Sequence, residues 1–195
     1  MSFTRVVTER LVLRRPVDAD IDALHTINAD PEGWRFFSVS EFTRRAETEA
    51  QLGRWAASWD ETRLGTWIAE TVDSAEVVGY GGCTRLLGDP AANETRNHVG
   101  DVWNLGYRFA VDHRGRGFAT EMSHTAVAAA IAADPTLPVV AFLLEGNRAS
   151  AAVAEKVGLT LRHRAHDAGN PDPAAVRRVY ANRTLTAAQL ETTLR

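Results

Sequence analysis

The feature that most restricts this chain is a change of pattern near residue 111, where strands that follow one another directly give way to alternating helices and strands. Before the change, residues 65–71, 76–87 and 99–111 read as three strands, with turn residues at Asp73-Ser74 and a looser loop over 88–97. That is an antiparallel meander. After it come an alanine-rich helix over 118–133, a buried strand over 137–144, a helix over 147–157 and a strand over 159–165. A sheet that holds both halves has to be mixed. Towards the N-terminus, residues 10–15 alternate as a short strand ended by Pro16. Asp18 then caps a helix with Leu24 and Ile27 on one face, closed by Pro31 and Gly33. A second helix over 42–60 carries Leu52, Trp55 and Trp59 at helical spacing, and a last strand over 176–183 precedes a short stretch of helical composition. The expected fold class is therefore α+β, with helices on both faces of a mixed, mostly antiparallel seven-stranded sheet.

Length and charge narrow the function. The chain has 195 residues, 45% of them hydrophobic, which fits one domain over 1–195. Its 22 basic and 25 acidic side chains give a net charge of −3, which argues against the extended phosphate-binding surface of a nucleic-acid protein. Lys156 is the one lysine. Cys83, the one cysteine, can form neither an intrachain disulfide nor a cysteine metal cluster, so no metal and a reducing compartment are expected. No run approaches the ~18 apolar residues of a membrane span, and Met1-Ser2-Phe3-Thr4-Arg5 lacks a signal-peptide apolar core. The expectation is a cytoplasmic protein with no membrane partner.

The chemistry concentrates at His113-Arg114-Gly115-Arg116-Gly117-Phe118-Ala119-Thr120, between a strand and a helix. Gly115 and Gly117 permit positive φ and close approach of a ligand, the first-turn N–H groups of the helix point outward, and Arg114 and Arg116 add cations. Such a turn suits a phosphate; the same residues also suit a tight turn with surface arginines. A P-loop would need Lys followed by Ser or Thr where Phe118-Ala119 stands, and a dinucleotide fingerprint would need a glycine at Thr120.

Arg114-x-x-Gly117-x-Ala119 after a long strand resembles the pyrophosphate-binding turn of the GCN5-related N-acetyltransferase (GNAT) superfamily. Leu105-Gly106-Tyr107 is similar to the Ile/Leu-Gly-Tyr leading into that turn. Asn147-x-x-Ser150 and Glu155-Lys156-Val157-Gly158-Leu159 resemble the next helix and strand, and Thr8-Glu9-Arg10-Leu11-Val12-Leu13-Arg14 resembles the first strand of the RimJ/RimL-like branch. The resemblance covers a core of about residues 8–183, leaving a tail over 184–195.

The resemblance implies a sheet that opens between its fourth and fifth strands, acetyl-CoA as cosubstrate in the gap, and direct acetyl transfer to an amine. Phe109, Ala110 and Val111 would pair with the pantetheine arm, residues 113–120 would hold the pyrophosphate, and Asn147 would bond the arm while capping its helix. Arg148 and Lys156 could meet nucleotide phosphates or be solvated helix charges. N–H groups near Ala110 and Val111 would bind the oxyanion. The helix tyrosine that assists the leaving thiolate in many relatives is replaced by Ala154, and Ser150 matches the serine of the RimJ/RimL-like pattern. Where relatives carry a glutamate base, this chain has Asn104, whose amide can hold a water but not take the proton. Alternation places Asn104 opposite Trp103 and Asp101 on Trp103's face, unless a bulge intervenes. Other candidate bases are Asp101, His98, His166 and Asp167, and an α-amine of pKa about 8 could lose its proton through water.

Acceptors would enter between the first two helices and the loop before the last strand. Glu32, Glu41, Glu47, Glu49, Asp60 and Glu61 make that region acidic, and Trp34, Phe36, Phe37 and Trp55 make it aromatic. This favours a protein N-terminal α-amine, a polyamine or an aminoglycoside. The lost glutamate and tyrosine leave a CoA-binding module with little catalysis as an alternative, a nucleotide-binding protein using the same turn is a third reading, and exposed strands beside the gap leave a homodimer open.

Overall fold

Leu11 and Leu13 alternate with Val12 and Arg14, and the strand they form pairs on both of its edges. The computed structural model describes residues 3–36, 44–88, 100–168 and 170–194. Within them the order is β1 (Arg5–Val7), β2 (Leu11–Arg14), α1 (Ile21–Ala29), α2 (Arg45–Thr62), β3 (Thr66–Thr71), β4 (Val77–Leu86) and β5 (Val102–Phe109). α3 (Phe118–Ala133), β6 (Val139–Leu144), α4 (Arg148–Lys156), β7 (Thr160–His166), β8 (Val176–Ala181) and α5 (Ala187–Leu194) follow. The described strands form one sheet in the order β1-β2-β3-β4-β5-β6-β8-β7, with β5 and β6 parallel and every other pair antiparallel.

The sheet has eight strands where seven are expected. The extra one, Arg5–Val7, pairs Arg5 with Arg14 and Val6 with Leu13. Three residues with one apolar pair are too short to show a period, and this strand exists because β2 offers a free edge. At the other end, Thr186 and Gln189 cap α5 reciprocally: Gln189 N donates to Thr186 Oγ1 at 3.2 Å and Thr186 N to Gln189 Oε1 at 3.0 Å.

Helices cover both faces. Trp103, Leu105 and Phe109 of β5 pack with Phe118 and Met122 of α3. Leu24, Ile27 and Leu52 of α1 and α2 pack on Ile68 and Tyr80 opposite. No helix among the described residues is long and apolar enough to cross a membrane.

The gap that matters lies between β5 and β6. They pair only at Trp103 with Val139 and Asn104 with Val140, and then diverge. Beyond that point the edge of β5 from Leu105 to Phe109 faces open space, while its other edge stays paired with β4 without a register shift as far as Gly79 and Phe109.

Candidate active site

Two cavities open along that edge. A groove of about 390 Å³ runs from the turn after β5 along α4, and a pocket of about 220 Å³ fills the gap between β5 and β6. Phe36, Tyr107, Asn147 and Ser150 line both, so the cavities meet at these four side chains.

The groove begins at the glycine–arginine turn. Gly115 and Gly117 have φ of +74° and +85°, and the first bond of α3 runs from Glu121 N to Gly117 O. The N–H groups of Phe118, Ala119 and Thr120 precede that bond and have no helical acceptor. His113, Arg114, Gly115, Gly117, Phe118, Ala119 and Thr120 all line the groove, as does Lys156 at the far wall. Arg114 has turned inward: its Nε donates to Phe109 O at 3.0 Å and Nη1 to Glu32 O at 3.3 Å, stapling the turn to β5 and to the segment after α1. Arg116 stays outside, over the Phe118 ring, with Nη1 3.0 Å from His113 Nδ1. Because arginine only donates, Nδ1 accepts, and the His113 proton sits on Nε2, 3.1 Å from Glu76 Oε1.

Arg10 is a cation at this turn that local patterning misses. Its Nη1 donates to Arg116 O at 2.7 Å, its guanidinium lies 5.0 Å from the Phe118 ring centroid, and Nη2 pairs with Glu121 at 2.7 Å. More than a hundred residues separate Arg10 from the turn, and only the pairing of β2 beside α3 brings it there.

The strand edge corrects one expectation. Ala110 N donates to Val78 O at 3.0 Å, so it is committed to β4 and is no oxyanion donor. Trp103 N points the other way, to Pro138 O at 2.9 Å. Successive residues of a strand alternate in hydrogen-bonding direction, and this ladder has no bulge, so the N–H groups of Leu105, Tyr107 and Phe109 face the gap. The donors lie one residue earlier and on alternate positions.

At the junction, Asn147 Oδ1 accepts from Ser150 N at 3.1 Å, capping α4. The Ser150 hydroxyl lies beside that of Tyr107. The Tyr107 hydroxyl is buried and makes no well-formed hydrogen bond. Burial pushes its pKa up, and the approach of the Ser150 hydroxyl pulls the other way. Asn104 lines the pocket between the strands, on the opposite face of β5 from Trp103.

The candidate bases separate. Asp101 is fully buried outside both cavities, where it accepts from Arg85 Nε at 2.9 Å and Gly88 N at 2.8 Å. Its carboxylate closes the end of the meander and does not reach the gap. Asp167 does line the pocket, ion-paired with Arg177 at 2.6 Å. His166 is exposed at the end of β7, and His98 lies outside the described residues, as do Phe37 and Glu41.

Three carboxylates of the acidic rim are paired with neighbouring arginines. Glu47 bonds Arg44, Glu49 bonds Arg45 and Asp60 bonds Arg15. The groove wall after α1 carries Glu32 but also Arg35, and β5 adds Arg108, which is buried against Trp34. Among the described residues no group of three or more His, Cys, Asp or Glu could hold a metal ion.

The sheet is open, and its gap leads from the glycine–arginine turn to a pocket lined by Tyr107 and Ser150. The chain belongs to the GNAT acetyltransferase family: residues 10–160 match its acetyltransferase (GNAT) domain. The uncharacterized N-acetyltransferase YoaA of Bacillus subtilis (strain 168) is 25% identical over 173 residues, spanning 87% of this chain and 92% of its own length. A putative GnaT-family acetyltransferase from Bordetella pertussis superposes with a TM-score of 0.72 at 19% identity, over 92% of this chain and 99% of that one. RimL, the ribosomal L7/L12 α-N-protein acetyltransferase solved with coenzyme A, gives a TM-score of 0.71 at 18% identity, over 92% and 97% of the two chains. The chain is thus an N-acetyltransferase.

Proposed function

We propose that this enzyme transfers the acetyl group of acetyl-CoA to a primary amine, with protein N-terminal α-amines as the favoured acceptors. The observation that carries the reading is the continuous path from the Gly115–Gly117 turn to the junction at Tyr107, Asn147 and Ser150, where a second pocket enters from the opposite side. The pyrophosphate of CoA fits the first-turn N–H groups of α3, and the pantetheine arm fits the unpaired edge of β5. The acceptor amine comes through the gap lined by Asn104 and Asp167.

Attack of the neutral amine on the thioester carbon puts charge on the carbonyl oxygen, which the N–H groups of β5 facing the gap stabilise. The C–S bond then breaks with its electron pair on sulfur, and the Ser150 hydroxyl donates a hydrogen bond to the departing thiolate. The amine sheds its proton to water held at Asn104, since an α-amine of pKa about 8 needs no strong base. A protein N-terminus suits this better than a polyamine, because Glu47, Glu49 and Asp60 of the acidic rim are already bonded to Arg44, Arg45 and Arg15. RimL, a structural neighbour, acts on such a terminus.

Release of CoA thiol from acetyl-CoA, followed against a panel of N-terminal peptides, polyamines and aminoglycosides, tests the reading. Turnover on peptides supports it. Tight acetyl-CoA binding without turnover on any amine favours a binding module instead, as the absent glutamate and helix tyrosine would allow. Competition by ATP or NAD, seen by calorimetry, would favour a nucleotide-binding protein.

A further inference from the structure

We propose that Tyr107 is a second catalytic hydroxyl, donating a hydrogen bond to the CoA sulfur beside Ser150. The inference deepens the acetyl-CoA reading and rests on it. The thioester must lie where the cofactor groove meets the acceptor pocket, and Tyr107 and Ser150 are the two hydroxyl side chains that line both. A buried hydroxyl ordinarily finds a partner, because leaving it without one costs free energy. Tyr107 Oη is buried without a well-formed hydrogen bond, and the hydroxyl it approaches is that of Ser150. Two neighbouring hydroxyls therefore converge on the point where the sulfur must sit. One turn further along α4 the same pocket meets the methyl of Ala154.

The ring is held there by design of the neighbouring strand. Gly81 of β4 pairs with Tyr107, and a Cβ at Gly81 would come within 2.5 Å of the Tyr107 Cβ and 2.6 Å of Met122 Cε. Only a glycine leaves the slot between β4 and α3 that fixes the start of the tyrosine side chain. Burial favours the protonated phenol, so Tyr107 remains a donor throughout the working range.

As the tetrahedral adduct collapses, the C–S bond breaks and its electron pair stays on sulfur. Tyr107 and Ser150 stabilise the thiolate without giving up their protons. The attacking nitrogen loses one proton to solvent and CoA takes one from solvent as it leaves, so the step balances.

The test uses CoA itself and needs no acceptor. The thiol pKa of bound CoA, read from thiolate absorbance, should rise by about one unit in Tyr107→Phe, the size expected for one lost hydrogen bond to a charged group. CoA affinity below that pKa should hold, and kcat with the best amine of the panel should fall about tenfold. Because Oη makes no well-formed hydrogen bond in the protein, the melting temperature should be little changed. An unchanged thiol pKa, or a lowered melting temperature in place of a pKa shift, overturns the proposal and leaves the acetyltransferase reading intact. Failure of the parent chain to bind CoA overturns both.

Discussion

The guanidinium of Arg108 sits over the indole of Trp34, its Cζ 3.7 Å from the ring centroid. This contact joins the end of β5 to the segment after α1, and Trp34 is itself anchored by a bond from Nε1 to Asn28 O at 2.5 Å. Arg108 is 7% exposed, and burial pulls its pKa below the usual arginine value. The ring face thus offsets part of the cost of a desolvated cation. Trp34→Ala should lose about 3 kcal/mol in urea unfolding through the emptied volume and the lost stack. Trp34→Phe keeps an aromatic face and should lose about 1 kcal/mol, mainly the indole hydrogen bond. Equal losses in the two variants would show that the stack contributes nothing.

Gly117 is the position where the proposed cofactor site and backbone geometry constrain each other most. Its φ is +85°, and an added Cβ would lie 3.2 Å from Arg10 Nη2. Gly117→Ala should cost about 1 kcal/mol of stability for the left-handed conformation and weaken acetyl-CoA binding as Arg10 is displaced. Gly117→Asp also brings a negative charge toward the pyrophosphate, and calorimetry should find acetyl-CoA affinity at least about 100-fold lower. Unchanged affinity in the aspartate variant would remove the turn from the cofactor site.

The long elements were legible because both of their ends are punctuated. The helix expected over 118–133 is α3 to the residue, bounded by Gly117 and Asp134. The gap in the sheet is legible only through resemblance, since nothing in the composition of β5 and β6 says that their pairing stops after Asn104 and Val140. The direction of backbone donors depends on register. The residues of β5 read as a strand, but which of their N–H groups face the gap follows from the Ala110–Val78 bond. Asp101 shows the other limit: a carboxylate on a strand beside a motif has the same local signature whether it meets substrate or, as here, Arg85.

Ser150 has its backbone N–H, not its hydroxyl, committed to Asn147, so the two functions separate by mutation. Ser150→Ala keeps the cap. Acetyl-CoA affinity should change little, while kcat falls by about 10- to 100-fold from loss of a donor to the leaving group. Measured across pH, a variant as active as the parent everywhere would make the hydroxyl structural only.

Glu121 links the glycine–arginine turn to the acid stability of the fold. Its Oε1 accepts from Thr8 Oγ1 at 2.6 Å and from Arg10 N at 2.8 Å, and Oε2 accepts from Arg10 Nε at 2.8 Å. Burial pushes its pKa up, but the Thr8 hydroxyl, the Arg10 amide and the Arg10 guanidinium outweigh that and hold it below the ordinary 4.5. A carboxyl depressed in the folded state contributes stability that is fully present above its unfolded pKa and is lost as pH falls through the folded value. Glu121→Gln should therefore be about 1–2 kcal/mol less stable than the parent at pH 7, and the difference should shrink as pH drops from about 4.5. Arg10 also donates to Arg116 O, so its release in the variant should loosen the turn and lower acetyl-CoA affinity at neutral pH. Urea midpoints at pH 7 and pH 3, with calorimetry at pH 7, check both parts. A stability difference independent of pH would mean that Glu121 acts through packing rather than through its charge.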